Sequence, residues 1–115
     1  MAEKTLFQKI ADREIPADII YEDDLCLCFK DISPQAPIHL LIVPKKPILR
    51  IAKAEPCDQE TLGHLLLTVR KIAEQEGFAE DGFRTVINNG QHGGEAVPHL
   101  HLHILAGRQL QLPLG

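Results

Sequence analysis

The sequence has little that points to a membrane, an oxidising compartment or a nucleic-acid backbone. It has no apolar run long enough to span a bilayer, and its first residues show no apolar core of a signal peptide. Three cysteines, an odd number, argue against a disulfide framework and favour a reducing compartment. The net charge of −4 argues against nucleic acid as a main partner. We therefore expect a cytoplasmic protein without membrane or nucleic-acid partners.

Internal repeats are also missing, as is the alternation of strands and helices that builds a parallel sheet. The 115 residues, 44% of them hydrophobic, are enough for a single domain spanning 1–115 with one core. The pattern predicts an α+β fold: an antiparallel sheet of about five strands in a meander, with helices on one face. The predicted strands are 19–21, 25–30, 38–43, 83–87 and 99–105.

Two segments predict helices, one short and one long. Thr5 fits the N-cap of a capping box in which the Gln8 side chain reaches back, and Pro16 limits the short helix. Asp58 fits the N-cap of the long helix, and Gly77 fits its end. The apolar stripe predicted to cover the sheet is Leu62, Leu65, Leu66, Val69, Ile72 and Ala73.

The last predicted strand carries an unusual pattern. His99, His101 and His103 alternate with apolar residues, so a strand places the three imidazoles on one open face of the sheet. Such a row does not favour folding, because neighbouring imidazoles repel once protonated. A chance polar face and a comb of zinc ligands are two interpretations. A catalytic row is the third, and the rest of the chain favours it.

Imidazole chemistry suits attack on phosphorus. A neutral imidazole is a good nucleophile, and a backbone carbonyl that accepts from its second nitrogen fixes the tautomer. Flanking histidines can supply a cation or a hydrogen-bond donor to phosphate oxygens. The glycine-rich loop 88–95 lies just before the histidines, and its backbone N–H groups can approach a phosphate closely. Asp31, in the loop 31–37, is a candidate acceptor for ribose hydroxyls.

Two alternatives stay open at this point. In a zinc protein, Cys26 and Cys28 could join the histidines, although Cys-x-Cys is not the usual Cys-x-x-Cys knuckle and no second cysteine pair exists. In a nucleotide-binding regulatory protein, the same residues would bind without much catalysis. Another histidine, His64, lies beside the apolar stripe of the long helix and is interpreted as a surface residue.

The motif 99–105 fits the His-φ-His-φ-His-φ-φ signature, where φ is apolar, and the chain resembles the histidine triad (HIT) family. Segments 29–39 and 42–46, together with Asn88, Gly93, Gly94 and 107–109, are similar to the Hint branch of that family. The resemblance covers nearly the whole chain from about Thr5. It implies a HIT-like fold and a homodimer joined across a two-fold axis.

The resemblance also implies an activity. It implies hydrolysis of purine nucleoside 5′-phosphoramidates or acyl-nucleotides, with release of AMP or GMP and no required cofactor or metal. His101 matches the nucleophile that forms a nucleotidyl-histidine intermediate, and the main chain of His99 would orient it. His103 and His39 match positions that contact the phosphate or support the triad.

The nucleotide-binding residues implied by the resemblance lie along the whole chain. Asp31 matches the ribose-binding carboxylate, and Asn88 and the Gly94 backbone match phosphate-site positions. Ala96 stands near the leaving group, where many relatives carry serine, and Leu112 stands where animal members carry tryptophan in a tail that reaches the partner's active site. The residues that match the apolar base pocket are Phe7, Ile10, Ile15, Phe29 and Ile32.

Overall fold

The computed structural model describes residues 4–115 and contains one five-stranded antiparallel sheet with two α-helices. The predicted α+β class is confirmed. Two 3₁₀ turns, Ile51–Lys53 and Pro56–Asp58, precede the long helix. The elements are α1 (Leu6–Ala11), β1 (Ile19–Glu22), β2 (Cys26–Lys30), β3 (Ile38–Pro44), α2 (Gln59–Gln75), β4 (Arg84–Val86) and β5 (Leu102–Ala106).

The strand order is β1-β2-β3-β5-β4, so the predicted simple meander is wrong at its end. After β3, the connection that contains α2 leaves the place next to β3 empty, and β4 forms the edge of the sheet. β5 then returns between β3 and β4 and pairs antiparallel with both. The histidine segment therefore leads into an interior strand of the sheet.

One face of the sheet packs against α2, as the apolar stripe predicted. The core on this side includes Leu65, Val69 and Ile72 of the helix and Ile42 and Ile104 of the sheet. Leu66 is an exception, because it is 57% exposed and lies on the outer side of the helix. The inclusion of Leu66 in the stripe was wrong, since Leu65 occupies the buried position one step earlier.

The other face of the sheet packs against α1. Phe7 and Ile10 of α1 join Leu27 and Phe29 of β2 in a second apolar cluster. His103 lies on this same face, because it pairs directly with Leu41 of β3, and opposite residues of an antiparallel pair share a face. The short helix α1 therefore covers the histidine side of the sheet, opposite α2, and the prediction that the helices lie on one face of the sheet is wrong.

The start of α1 follows the prediction only in part. The Thr5 side chain accepts from the Gln8 N–H at 3.0 Å, which is the expected N-cap. The Gln8 side chain does not reach back, however, and its amide donates to Asp12 Oδ1 at 3.2 Å. The helix ends at Ala11, before Pro16 is reached. The chain then turns at Arg13, whose φ is 63°.

The start of α2 also differs from the prediction. The Asp58 side chain makes no cap to α2; it accepts from the Glu55 N–H at 2.9 Å and pairs with Lys46. Gly77 does end the helix, with a φ of 82°. His64 is not a free surface residue, because its Nε2 lies 2.6 Å from Asp23 Oδ2 and ties the helix to the turn after β1.

The histidine segment is less regular than predicted. Regular pairing begins at Leu102, so His99 and His101 precede β5 and only His103 lies in it. The His99 N–H turns back to Val97 O at 2.8 Å, next to Pro98, which has no N–H to donate. The Leu100 N–H donates to Ile48 O at 2.7 Å and fixes this segment against the chain after β3.

Within residues 4–115, no helix has both the length and the apolar character needed to cross a membrane.

Candidate active site

A cavity of about 330 Å³ opens on the α1 side of the sheet, between α1 and the glycine-rich loop. It contains His101, His103 and all nine residues that the resemblance assigned to nucleotide binding. His39 and His99 are buried beside it and do not line it. Its full lining is Leu6, Phe7, Ile10, Ile15, Pro16, Ala17, Phe29, Lys30, Asp31, Ile32, Leu41, Asn88, Gly94, Ala96, Val97, His101 and His103.

His101 is held with one ring nitrogen engaged and the other available. Its Nδ1 lies 2.7 Å from the carbonyl oxygen of His99, which only accepts, so Nδ1 carries the proton and donates. In the neutral ring the lone pair is then on Nε2, and the His101 side chain lines the cavity. The Phe7 ring and the His101 imidazole pack in a T-shaped arrangement with centroids 4.8 Å apart, which restricts rotation of the imidazole.

His99 has a different environment from the one predicted. It is 1% exposed and lies beneath α1, so the expectation of three imidazoles on an open face is wrong. Its Nε2–H donates to Pro44 O at 3.1 Å, and its Nδ1 accepts from the Thr5 hydroxyl at 2.8 Å. Burial lowers the pKa of His99, so the ring is neutral. Its contribution to the cavity is its carbonyl, which orients His101.

Two consecutive hydrogen bonds, from Gln35 to His39 and from His39 to His103, fix the tautomer of His103, and we call them the relay. The Gln35 N–H donates to His39 Nδ1 at 3.0 Å, so the proton of His39 lies on Nε2. His39 Nε2–H donates to His103 Nδ1 at 2.9 Å, which leaves the proton of His103 on Nε2. Burial lowers the pKa of His39 and lowers that of His103 to about 4. His103 thus offers a neutral N–H donor to the cavity, and not the cation that a protonated flanking histidine would supply.

The cavity mouth combines one carboxylate, that of Asp31, with apolar side chains. Asp31 Oδ1 accepts from the Ser33 N–H at 2.7 Å, and Oδ2 lies 3.5 Å from His39 Nε2. Ile32 is 95% exposed at the rim. Phe7, Ile10 and Phe29 are buried in the wall. The mouth therefore offers an apolar surface beside one carboxylate.

The glycine-rich loop is closed by hydrogen bonds. The Asn88 amide donates to Gly93 O at 2.7 Å. A side chain at Gly93 is excluded, because its Cβ would lie 2.5 Å from the Asn89 carbonyl oxygen. Gly94 has a φ of 75°, a conformation that favours glycine. Ala96 follows the loop and lines the cavity with a methyl group, so no side-chain donor exists at that position.

Sequence reasoning missed several residues that hold this site. Arg50 and Glu95 form a two-bond ion pair beside the loop, although they are 45 residues apart in the chain. Thr5 was recognised as a helix cap but not as the partner of His99, and Gln35 was not singled out. No local sequence pattern signals the Arg50–Glu95 and Thr5–His99 contacts, because each joins segments that meet only in the folded chain. Gln35 lies only four residues from His39, but its role depends on how the loop before β3 folds back onto the His39 ring.

The structure does not bring the cysteines to the histidines. Cys26 and Cys28 pack in the core on the α2 side, and the histidine triad lies on the other side of the sheet. Burial raises the pKa of Cys26 to about 11 and of Cys28 to about 12, so both stay protonated thiols. The zinc interpretation that combined these cysteines with the histidines is therefore wrong.

Two groups of potential ligand atoms within 4.8 Å of one another occur in the described residues, and internal hydrogen bonds occupy both. In the first, His39 and His103 are bonded to each other, with Asp31 beside them. In the second, Asp23 joins Cys26 and His64. Both Asp23 oxygens already accept: Oδ1 from the Leu25 and Cys26 N–H groups, and Oδ2 from the Tyr21 hydroxyl and His64. Neither group is a preformed metal site.

A larger cavity of about 640 Å³ lies near β4 and the segment after β5. Phe78, Phe83, Arg84 and Arg108 are among its lining residues. It contains none of the residues predicted for catalysis or nucleotide binding, so the smaller cavity is the candidate active site.

Comparisons with known proteins agree with this fold. The family model described as HIT domain matches residues 12–110. An uncharacterized HIT-like protein of Synechococcus elongatus is 59% identical over 115 residues, the full length of both chains. The purine nucleoside phosphoramidase of Escherichia coli is 51% identical over 110 residues, 96% of this chain and 92% of that protein.

A solved structure shows the same architecture. The crystal structure of a HIT family hydrolase from Legionella pneumophila superimposes with a TM-score of 0.95 at 48% identity, over 97% of this chain and 100% of that chain. The resemblance read from the histidine motif is therefore confirmed, and so is the HIT-like fold. This chain belongs to the histidine triad family of HIT-domain proteins.

Proposed function

We propose that this protein hydrolyses purine nucleoside 5′-phosphoramidates, and acyl-nucleotides of the same kind, and releases AMP or GMP. One observation carries the proposal: His101 presents a free Nε2 to a nucleotide-sized cavity while its Nδ1–H is held by the His99 carbonyl. The purine preference is supported by the name of the E. coli relative, a purine nucleoside phosphoramidase.

In this proposal the cavity binds the nucleotide in three parts. The purine packs against the apolar wall that includes Phe7, Ile10 and Phe29. The ribose hydroxyls donate to Asp31 at the mouth. The phosphate lies near the glycine-rich loop and accepts from the Nε2–H of His103, whose proton position is fixed by His39. The phosphorus is then next to His101.

The first chemical step is attack by His101 Nε2 on phosphorus. A new P–N bond forms to the imidazole as the P–N bond to the leaving amine breaks, and the amine takes a proton from solvent. The imidazole becomes positively charged, and the His99 carbonyl stabilises that charge through the Nδ1–H bond. Water then attacks phosphorus, the P–N bond to His101 breaks, a proton of the water passes to solvent, and the monophosphate leaves with neutral imidazole restored.

The experiment measures turnover of a fluorogenic adenosine 5′-phosphoramidate by the wild type, His101→Ala and His64→Ala. His101→Ala should lose turnover by at least about a thousandfold and retain AMP affinity within about tenfold, because the substitution removes the nucleophile and leaves most of the cavity. His64→Ala is the matched control, since His64 lies on α2 away from the cavity. Substantial activity in His101→Ala would show that another group attacks.

The turnover assay, combined with AMP binding and with metal chelation, separates the alternative functions. Wild-type protein that binds AMP without turnover would be a nucleotide-binding regulatory protein. Dialysis of untagged protein against EDTA should leave turnover and melting temperature unchanged, since a structural metal couples to folding. A large drop in either quantity on chelation would instead support a metal-dependent protein.

We also propose that the protein is a homodimer. Exposed leucines on the outer side of α2 support an interface there: Leu66 is 57% exposed and Leu67 is 66% exposed. Leu112 and Leu114, near the end of the chain, are 90% and 85% exposed. Sedimentation at micromolar concentration should show a dimer, and a monomer alone would contradict the proposal.

A further inference from the structure

The glycine-rich loop is closed on itself by Glu95. The Gly90 N–H donates to Glu95 Oε1 at 3.0 Å, and the Glu95 N–H donates to Gly90 O at 3.1 Å. One side chain thereby ties the first half of the loop to its end. Two cavity-lining residues are next to this closure: Asn88 lies just before Gly90, and Gly94 lies inside the closed loop next to Glu95. The position of Glu95 therefore fixes the shape that the loop presents to the cavity.

Arg50 holds Glu95 from outside the loop. Arg50 Nε donates to Glu95 Oε1 at 2.8 Å, and Nη2 donates to Oε2 at 2.9 Å, a two-bond geometry that constrains direction as well as distance. The Glu95 side chain is 10% exposed and that of Arg50 is 25% exposed, so salt screens this pair less than a surface pair. Arg50 also lowers the pKa of Glu95 to about 2.

The segment that carries Arg50 is itself attached to the loop region. The Ala52 N–H donates to Asn89 Oδ1 at 2.8 Å. The Leu100 N–H donates to Ile48 O at 2.7 Å, one residue before the nucleophile candidate His101. Segment 48–52 thus contacts the chain on both sides of Glu95. The backbone on both sides of Arg50 is thus held by hydrogen bonds, so Arg50 can fix the position of Glu95.

We propose that the Arg50–Glu95 ion pair is a positioning device for phosphate recognition. It holds the glycine-rich loop in the shape that faces the phosphate, and it neutralises a carboxylate that would otherwise repel an anion next to the cavity. Neither residue lines the cavity, so both act through the loop. The inference rests on the proposed function, because it assigns the loop to the phosphate of a nucleotide.

This role separates phosphate binding from base binding. AMP and adenosine share the purine and ribose, and only AMP presents the phosphate to the loop. A loss of the ion pair should therefore weaken AMP binding and leave adenosine binding nearly unchanged. A merely structural role for the pair would weaken both ligands together, since the apolar wall would be disturbed as well.

The experiment is isothermal calorimetry with AMP and with adenosine on the wild type and variants. Arg50→Met should weaken AMP binding by roughly tenfold to a hundredfold, because it leaves a carboxylate unpaired beside the loop, and should change adenosine binding by less than about twofold. Arg50→Met combined with Glu95→Gln should recover part of the AMP affinity, because the amide still accepts from Gly90 without a charge. Arg70→Met is the control, since Arg70 pairs with Glu74 on the exposed side of α2.

The outcomes distinguish the two proposals. Equal losses for AMP and adenosine, or no loss for AMP, would overturn the positioning role. Wild-type protein that binds AMP with the expected dependence on Arg50 but does not hydrolyse the phosphoramidate would support the positioning role and contradict the proposed activity. Wild-type protein that binds neither ligand would overturn both.

Discussion

His39 Nε2 lies 2.9 Å from His103 Nδ1, and the Gln35 N–H lies 3.0 Å from the other ring nitrogen of His39. Because a backbone N–H can only donate, this arrangement fixes the proton positions on both rings. His103 is left with its Nε2–H toward the cavity. A residue from β3 thereby decides which hydrogen-bond character β5 offers to a ligand.

The relay predicts that His39 affects catalysis without lining the cavity. His39→Leu should lower kcat/KM for an adenosine phosphoramidate by about tenfold to a hundredfold, less than the loss on deletion of a preorganised donor, because His103 stays but its tautomer is free. His39→Gln should recover part of the loss, since the amide NH₂ can donate to His103 Nδ1. Equal activity of His39→Leu and wild type would contradict the relay.

The low pKa of His103, about 4, predicts a loss of stability in mild acid. The unfolded chain binds a proton near the ordinary histidine pKa of 6.5, and the folded chain does not, so stability falls as pH drops from about 6.5 to about 4. His99 and His39 contribute in the same direction, because burial lowers their pKa values too. Carboxylates whose pKa is lowered, such as that of Glu95, reduce stability only at lower pH, where they become protonated.

The measurement is urea unfolding at pH 7 and pH 5. The wild type should lose about 1–3 kcal/mol of unfolding free energy between these values, and His103→Asn should lose less. His92→Asn is the control histidine variant, since the His92 side chain is exposed. An unfolding free energy that rises toward pH 5 would contradict the assignment of buried neutral histidines.

The two hydrogen bonds of the Thr5 hydroxyl predict an effect on stability. The hydroxyl accepts from the Gln8 N–H and donates to His99 Nδ1, so Thr5→Val removes a helix cap and leaves a buried acceptor without a partner. The expected cost is about 1–3 kcal/mol of unfolding free energy. Thr5→Ser should retain most of it. Denaturant unfolding measures the cost, and equal stability of the Val and Ser variants would contradict the bond to His99.

Ala96 predicts a substrate-dependent gain. Alkyl-amine leaving groups need a proton as the P–N bond breaks, and Ala96 supplies no donor at the cavity. Ala96→Ser should speed hydrolysis of alkyl-amine phosphoramidates by up to roughly tenfold to a hundredfold, because an added hydroxyl is not yet preorganised. Acyl-nucleotides, which have good leaving groups, should change little. Equal effects on both substrate classes would mean that residue 96 does not face the leaving group.

Local sequence patterns predicted much of the fold. The alternation from 99 to 105 predicted β5, although the regular strand begins only at Leu102. The runs at β2 and β3 also predicted strands, because apolar residues two apart must share a buried face. The period of Leu65, Val69 and Ile72 predicted α2 and its contact with the sheet, because residues three or four apart share a helix face. The prediction failed at Leu66 and in the order of the last strands, where position depends on segments that are distant in sequence.

The candidate site likewise depends partly on the local sequence and partly on the tertiary structure. The sequence by itself determined which residues have the chemistry: a central imidazole in His101, a nearby glycine-rich loop and a carboxylate in Asp31. Only the tertiary structure decided their protonation and placement. The Pro44 carbonyl on His99, the His39 ring on His103 and the Arg50 guanidinium on Glu95 set these properties, and each comes from a chain segment far from its partner. Hydrogen bonds and burial act through space, so the tautomers of His99 and His103 are decided by neighbours that their own stretch of sequence does not contain.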